Sequence, residues 1–86
     1  MRNELSTCPV CGYKTIFAEW QVCHICRWEF NYFQISHPDD KFGPNYVTLH
    51  EAQANFIKFG ANDPGEVHHA QKPTPADQKD PEWKPL

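Results

Sequence analysis

Two cysteine pairs of identical spacing constrain this chain more than any other feature. Four cysteines form two C-x2-C motifs: Cys8, Cys11, Cys23 and Cys26. Paired motifs of this kind are typical of tetrahedral zinc sites, in which each thiolate lies about 2.3 Å from the metal. Pro9 fixes φ inside the first turn, and Gly12 can adopt the positive φ that closes it. The spacing therefore predicts one structural zinc ion held by four thiolates.

Three other uses of the cysteines stay open at this point. The four thiols could form two disulfides, or one pair could be a redox-active motif. Iron is a further possibility, because residues 8–13, C-P-V-C-G-Y, resemble a rubredoxin knuckle. Arg27 stands where the second knuckle of such a protein would have glycine, which weakens the electron-transfer interpretation. His24 could also replace one cysteine, but an exposed position within the second knuckle is favoured.

A closed set of four thiolates argues against catalysis at the metal. Catalytic zinc sites keep one position free for water or substrate, whereas structural sites fill all four positions with protein ligands. The sequence thus predicts a non-enzymatic protein.

Size and charge narrow the class of partner. A chain of 86 residues allows one small domain, and such domains often depend on a metal staple. Eight Lys and Arg residues are outnumbered by eleven Asp and Glu residues, and the formal net charge is −3. A nucleic-acid partner is disfavoured because phosphate binding requires a basic face. A protein partner with a basic surface is favoured.

The sequence contains no sign of export or of membrane insertion. Met1 to Leu5 are polar, and no apolar run of signal-peptide length follows them. No stretch approaches the roughly 20 apolar residues of a membrane-spanning helix. We expect a cytoplasmic location, where paired thiols hold metal more often than they form disulfides.

Hydrophobic patterns predict a small α+β fold that resembles a zinc ribbon. Alternating residues over 14–22 predict a strand or hairpin between the cysteine pairs, and the same period over 28–33 predicts a second strand. A helix is expected at about 49–59, because Thr48 and Glu51 have capping-box spacing and Gly60 can end the helix. The expected apolar stripe of this helix, packed on aromatic residues such as Trp28 and Phe30, consists of Leu49, Ala52, Phe56 and Phe59.

Proline content divides the chain into two predicted parts. Residues 1–61 form the cysteine-rich domain, and residues 62–86, from Asn62 onward, form a Pro-rich tail that is flexible or extended. Trp83 is the exception in this tail, since a lone aromatic could dock on the domain or on a partner.

Other candidate residues have simpler interpretations. The segment containing His37, Asp39 and Asp40 could form a second metal site or an acid–base pair, but a turn around Pro38 is favoured. The pair at 68–69, His-His, favours adventitious metal binding. Trp28 could stack on nucleic-acid bases, although a core position is favoured.

The order of these motifs resembles the bacterial cysteine-rich CPCC family over about residues 7–63. The resemblance is carried by C-P-V-C-G-Y-K-T, by C-H-I-C-x-W-E, and by G-P-N-Y-V-T-L-x-E-A-x-x-N-F-I-x-F-G-A. Besides the four cysteines, the matching positions are Trp28, Glu29, Gly43, Pro44, Asn45, Leu49, Glu51, Ala52, Asn55, Phe56, Phe59 and Gly60. One departure is Val10, which replaces the third residue of the C-P-C-C motif and leaves four cysteines.

The resemblance implies a zinc-binding fold more firmly than an activity. Members of the family look like small bacterial accessory proteins, some of them encoded as immunity partners of secreted toxins. Our leading hypothesis is therefore an immunity protein that binds a basic toxin, with its oligomeric state open. The alternatives are a zinc-ribbon nucleic-acid or transcription accessory module and a rubredoxin-like iron electron carrier.

Overall fold

The computed structural model describes residues 5–86 as a small mixed fold with one hairpin and two helices. The elements follow in the order β1 (Ser6–Thr7), β2 (Lys14–Ile16), α1 (Tyr32–Ser36) and α2 (Leu49–Phe59). A single 3-10 turn, Pro64–Glu66, follows α2. Residues 1–4, which begin the predicted domain and form most of the polar segment 1–5, lie outside the described residues.

The hairpin encloses the first cysteine pair. β1 and β2 are antiparallel, with Ser6 opposite Ile16 and Thr7 opposite Lys14, and a register shift separates the two pairings. The prediction of a strand between the cysteine pairs is confirmed, but only for Lys14–Ile16. Its partner strand precedes Cys8, because the first knuckle is itself the turn that joins the two strands.

The predicted second strand over 28–33 is wrong in its second half, where α1 begins. Asn31 caps this helix, because its side-chain oxygen accepts a hydrogen bond from Gln34 N at 3.0 Å. Asn side chains favour such caps over continued strand structure. Only Glu29 retains strand pairing, as an isolated antiparallel bridge with Val22. The alternation over 28–30 is therefore real but ends at the cap.

Helix α2 has the predicted bounds, residues 49–59. Thr48 Oγ1 accepts from Glu51 N at 3.0 Å, and Glu51 Oε1 accepts from Thr48 N at 2.9 Å. This reciprocal pair is the predicted capping box, which satisfies two backbone donors that the first turn leaves unpaired. Gly60 ends the helix with φ of 81°. The prediction of this helix is confirmed at both ends.

The buried face of α2 differs from the predicted stripe at one position. Leu49 and Ala52 are buried and Phe56 packs against the core, whereas Phe59 is 41% exposed. At 3.6 residues per turn, position 59 lies about 80° around the helix from position 49. Gln53 lies closer to the buried side and is buried instead. Including Phe59 in the stripe was therefore wrong.

The core forms around the four cysteines. Trp28 is fully buried, which confirms its interpretation as a core residue, and Phe30 packs in the same cluster. The other buried members are Val10, Ile16, Ile25, Leu49 and Ala52, together with the cysteines. The cysteine cluster and the hydrophobic core are thus a single unit, so the same packing holds both.

Residues beyond 61 return to the domain at several points. Residues 77–86, here called the C-terminal strap, include Lys79, which pairs with Tyr13 as an isolated antiparallel bridge. The Trp83 ring lies over Gly12, so for this residue the structure shows docking on the domain. The division of the chain into domain and tail at residue 62 stays a prediction.

The helices among residues 5–86 are short. The longest helix is α2, with 11 residues. No described helix has the length and apolar character that a bilayer crossing requires.

Candidate metal centre

The four cysteine sulfur atoms meet in one buried cluster. All four Sγ atoms lie within 4.8 Å of one another, and all four residues are buried. Cys8 Sγ and Cys26 Sγ are 3.5 Å apart, and Cys11 Sγ and Cys23 Sγ are 3.8 Å apart. Sulfurs at the corners of a tetrahedron with metal bonds of about 2.3 Å would be about 3.8 Å from one another. The cluster is therefore positioned to bind one metal ion, with each cysteine providing one sulfur ligand.

Each cysteine pair lies in a knuckle, residues 8–13 in the first and 23–28 in the second, and both have the same backbone pattern. Cys8 N donates to Tyr13 O at 2.8 Å, and Gly12 N donates to Cys8 O at 2.9 Å. The matching bonds in the second knuckle run from Cys23 N to Trp28 O and from Arg27 N to Cys23 O, at 2.9 and 2.8 Å. The two C-x2-C motifs thus build equivalent turns that face each other across the sulfur cluster.

A left-handed residue follows the second cysteine of each knuckle. Gly12 has φ of 80° and Arg27 has φ of 70°. This conformation costs a residue with a Cβ about 1–2 kcal/mol, so glycine suits it and arginine does not. The second knuckle reaches the same geometry at a backbone cost that the first knuckle avoids.

Burial and mutual hydrogen bonding set the proton affinities of the cluster. Burial raises the pKa of the Cys8 and Cys26 thiols well above the usual range. Hydrogen bonds from the neighbouring thiols, that of Cys11 first, lower the pKa of Cys23. Thr15 Oγ1 also donates to Cys23 Sγ at 3.1 Å. The Cys23 thiolate is thus stabilised by its neighbours, whereas a cation among the sulfurs would favour ionisation of Cys8 and Cys26 in this buried site.

The first knuckle is covered by α2 and by the C-terminal strap. Pro9 O accepts two hydrogen bonds, from Gln53 Nε2 at 2.9 Å and from Trp83 Nε1 at 3.1 Å. A Cβ on Gly12 would lie 2.5 Å from Trp83 Cε3 and 3.0 Å from Lys79 Cε. Lys79 Nζ lies 5.2 Å from the centre of the Tyr13 ring and 5.5 Å from that of Trp83. Glycine is therefore needed at position 12 for space as well as for φ.

The second knuckle is covered by the segment that follows α2. Cys26 O accepts from both the backbone N and the Nδ2 of Asn62, at 2.9 and 2.8 Å. Gln71 N donates to Ile25 O at 3.0 Å. These bonds satisfy carbonyls that the turn leaves unpaired. Both knuckles thus depend on chain distant in sequence.

The remaining predicted candidates lie away from the cluster. His24 is exposed, and its Nε2 lies 2.9 Å from Asp77 Oδ1. The residues of the 37–40 segment belong to the turn that follows α1, where Asp40 Oδ1 accepts from Phe42 N at 2.8 Å. The pair at 68–69 is exposed. Within the part of the chain that the structure describes, the four cysteines are the one group whose ligand atoms converge for a metal.

Sequence reasoning missed three residues that support the cluster. Thr15, Gln53 and Asn62 each donate a side-chain hydrogen bond to a cysteine sulfur or to a knuckle carbonyl. Gln53 had a detectable signal, since it lies on the buried side of α2 by helical periodicity. Asn62 and Thr15 had none, because their bonds to Cys26 and Cys23 form only when separate segments of the folded chain meet.

Comparison with known proteins identifies a family. The family model described as cysteine-rich CPCC matches residues 6–77, which cover both knuckles, both helices and the segment over the second knuckle. Searches of curated proteins and of solved structures found no significant match.

Proposed function

This chain belongs to the cysteine-rich CPCC family, and on that premise we propose that it is a structural zinc protein without enzymatic activity that binds a protein partner. The single observation that carries the metal part is the convergence of four buried Sγ atoms within 4.8 Å of one another. Four thiolates are the donor set that zinc takes in structural sites. Zinc would supply a charge that holds all four sulfurs ionised, and with it the folding free energy of the core.

Elemental analysis of the untagged protein, with thiol counts before and after chelation, tests this part. We expect one zinc per chain and four thiols that become reactive only when the metal is removed. Iron and a red colour would instead support the rubredoxin-like alternative, because iron also accepts four thiolates. Oxidised thiols without metal would overturn both proposals.

We further propose that the protein acts in the bacterial cytoplasm as an immunity protein that neutralises a basic toxin. Its formal charge is −3, and a zinc ion with four thiolates would add about two further negative charges. An acidic inhibitor attracts a basic partner at long range and binds it faster. The resemblance of the sequence to small bacterial accessory proteins points in the same direction.

A pull-down from the native host tests the partner proposal. The bait is the zinc-loaded protein, and the chelated protein is the matched control. We expect a specific basic protein whose toxicity is relieved when the two are expressed together. Recovery of no specific protein would contradict the proposal, and salt-sensitive binding of DNA or RNA would favour the nucleic-acid accessory module.

A further inference from the structure

The net negative charge of the chain is concentrated in one stretch of sequence. Residues 29–51 contain four carboxylates and one lysine, a formal charge of −3, which equals the total for all 86 residues. The remainder of the chain is therefore electrically neutral. The carboxylates are Glu29, Asp39, Asp40 and Glu51, and the Asp39 side chain is 81% exposed.

The same stretch exposes several aromatic rings. Tyr32 is 60% exposed, Phe42 is 76% exposed and Tyr46 is 83% exposed. Phe33 is 38% exposed and packs edge-on against Phe42, with ring centres 5.5 Å apart. Asp40 Oδ1 accepts from Phe42 N at 2.8 Å, so a carboxylate adjoins this aromatic pair. We define the aromatic–acidic surface as the exposed aromatic and acidic residues of the 32–46 segment, which also carries the exposed Lys41: Tyr32, Phe33, Asp39, Asp40, Phe42 and Tyr46.

A buried network of amide side chains fixes the loop that carries this surface. Gln34 is completely buried, and its Nε2 donates to Asp40 O at 3.3 Å and to Val47 O at 3.1 Å. Gln34 Oε1 accepts from Asn31 Nδ2 at 3.2 Å and from Asn45 Nδ2 at 2.9 Å. The 40–47 loop is thus held at both ends and near its middle by a single side chain.

Two further contacts make the loop conformation specific. Asn45 pairs with the backbone of Glu29 in both directions, since Glu29 N donates to Asn45 Oδ1 at 2.8 Å and Asn45 Nδ2 donates to Glu29 O at 2.9 Å. A Cβ on Gly43 would lie 2.6 Å from Gln34 Oε1, so the backbone packs directly on the amide. Buried polar side chains are costly unless satisfied, and a satisfied network specifies one geometry.

Rigid exposed aromatic residues are the groups that contribute most to protein–protein binding. Tyr and Phe provide large contact areas with few rotatable bonds, and a fixed loop loses little entropy when it binds. The faces of aromatic rings attract Arg and Lys side chains, and neighbouring carboxylates strengthen that attraction. A second copy of this chain would be repelled at this face, because both surfaces carry the same net negative charge.

We propose that the aromatic–acidic surface is the docking site for the protein partner, and that it binds a basic patch whose Arg or Lys side chains lie on these rings. This inference rests on the proposed function, since it assigns a surface to the same partner. It also separates two roles within the molecule. The sulfur cluster holds the core, and the face built on α1 and the 37–47 loop makes the contact.

NMR titration of the zinc-loaded protein with a synthetic amphipathic peptide of Arg and Leu tests the proposal. A peptide with Glu in place of Arg is the matched control. We expect saturable shifts of backbone amides confined to residues 32–46, weakened by added salt, and no response to the Glu peptide. The basic peptide stands in for the basic patch of the partner.

Variants then measure the contribution of the surface. Phe42→Ala and Tyr46→Ala should each weaken binding by about thirtyfold, the effect of losing a hot-spot side chain. Ile57→Ala removes an equally exposed apolar side chain, 81% accessible, from the outer face of α2 and should change nothing. Asp39→Asn should reduce the salt dependence, whereas Glu82→Gln in the strap should not.

The possible outcomes distinguish this inference from the proposed function. Saturable binding with shifts elsewhere on the protein would overturn the docking site and leave a protein-binding function standing. Equal affinity for the Arg and Glu peptides would overturn the basic chemistry of the occupant. Shifts at residues 32–46 that depend only on protein concentration would assign the surface to self-association and overturn the inference. The pull-down, performed with Phe42→Ala as the bait, then tests the natural partner directly.

Discussion

The first knuckle and the second knuckle close with the same two backbone hydrogen bonds, yet different residues follow their second cysteine. Gly12 in the first has no side chain, and the strap places Trp83 and Lys79 directly over it. Arg27 in the second adopts the same left-handed backbone with a full side chain, and Asn62 secures the adjoining carbonyl. Equivalent backbone geometry is therefore reached by two different means.

The comparison shows that two separate constraints act on the residue that follows the second cysteine: the backbone conformation of the turn, and the space left by the segment that packs over it. The turn itself needs only a left-handed residue, which arginine can provide at some cost in free energy. Glycine is required in the first knuckle because a ring from the strap occupies the volume of a side chain. The charged end of Lys79 lies over the Tyr13 and Trp83 rings, so the strap also contacts the first knuckle through its aromatic residue.

The largest expected effect tests whether the knuckles contribute equally to the metal. Cys11→Ser and Cys26→Ser should both unfold the domain, because either change removes one corner of a site that supplies on the order of 10 kcal/mol of folding free energy. Circular dichroism with zinc present is the measurement. Native spectra for one variant but not the other would break the equivalence of the two knuckles, and native spectra without metal for either would contradict the structural role.

The second prediction compares alanine substitutions at the two left-handed positions, one in each knuckle. Gly12→Ala should reduce the free energy of unfolding by about 2–4 kcal/mol, since it adds left-handed strain and a clash with Trp83. Arg27→Ala should cost about 1 kcal/mol or less, because that position already bears a Cβ. Denaturant unfolding of the zinc-loaded proteins measures both.

Gly60→Ala is the control that separates backbone strain from steric clash. Gly60 has φ of 81°, and nothing lies within 4 Å of the position its Cβ would take. Its replacement should therefore cost only the backbone term of about 1–2 kcal/mol. If Gly12→Ala lowers the free energy of unfolding by no more than Gly60→Ala does, the Trp83 ring does not pack against Gly12 as described.

The third prediction concerns the kinetics of metal release. Trp83→Ala should accelerate extraction of zinc by a chelator about tenfold, the equivalent of 1.4 kcal/mol, because it removes the ring over Gly12 and one donor to Pro9 O. Trp20→Ala removes an exposed tryptophan that is distant in sequence from the strap, and it serves as the control. Equal acceleration by both would show that the strap has no specific effect on the site.

The smallest expected effect is electrostatic and concerns the strap alone. A hydrogen bond from Thr7 Oγ1, followed by one from Glu82 N, lowers the pKa of Asp80. Thr7→Val should raise that pKa towards its usual value. Asp77 is the internal control, because its lowered pKa depends first on Thr74 N and then on His24. NMR titration of the two carboxyl groups provides both values.

The sign of the pH effect follows from the lowered pKa of Asp80. Its stabilising contribution is complete above the unfolded value of about 3.9 and is lost as the pH falls through the lower folded value. Acid should therefore cost the strap more stability in the natural protein than in Thr7→Val, because the folded pKa of Asp80 in the variant lies closer to the unfolded value. Identical acid profiles for the two proteins would remove Thr7 from the strap contact.

Motif spacing and capping residues predicted those parts of the fold that depend on residues close together in sequence. The knuckle spacing gave the grouping of the four cysteines, and the capping residues at Thr48, Glu51 and Gly60 gave both ends of α2. The strand predicted through residue 33 failed because Asn31 favours capping a helix over continuing a strand. No local pattern marks Asn62 or the strap, since each contacts a knuckle more than 30 residues away in sequence.

Trp83 is near the end of the given sequence, so it is synthesised after all four cysteines. About 57 residues separate Cys26 from Trp83, and at about 5–20 residues per second a ribosome needs roughly 3–11 s to add them. During that interval all four thiols have been made while the ring that covers the first knuckle has not. Until that last segment is made, the Gly12 side of the first knuckle lacks the ring that covers it in the folded protein.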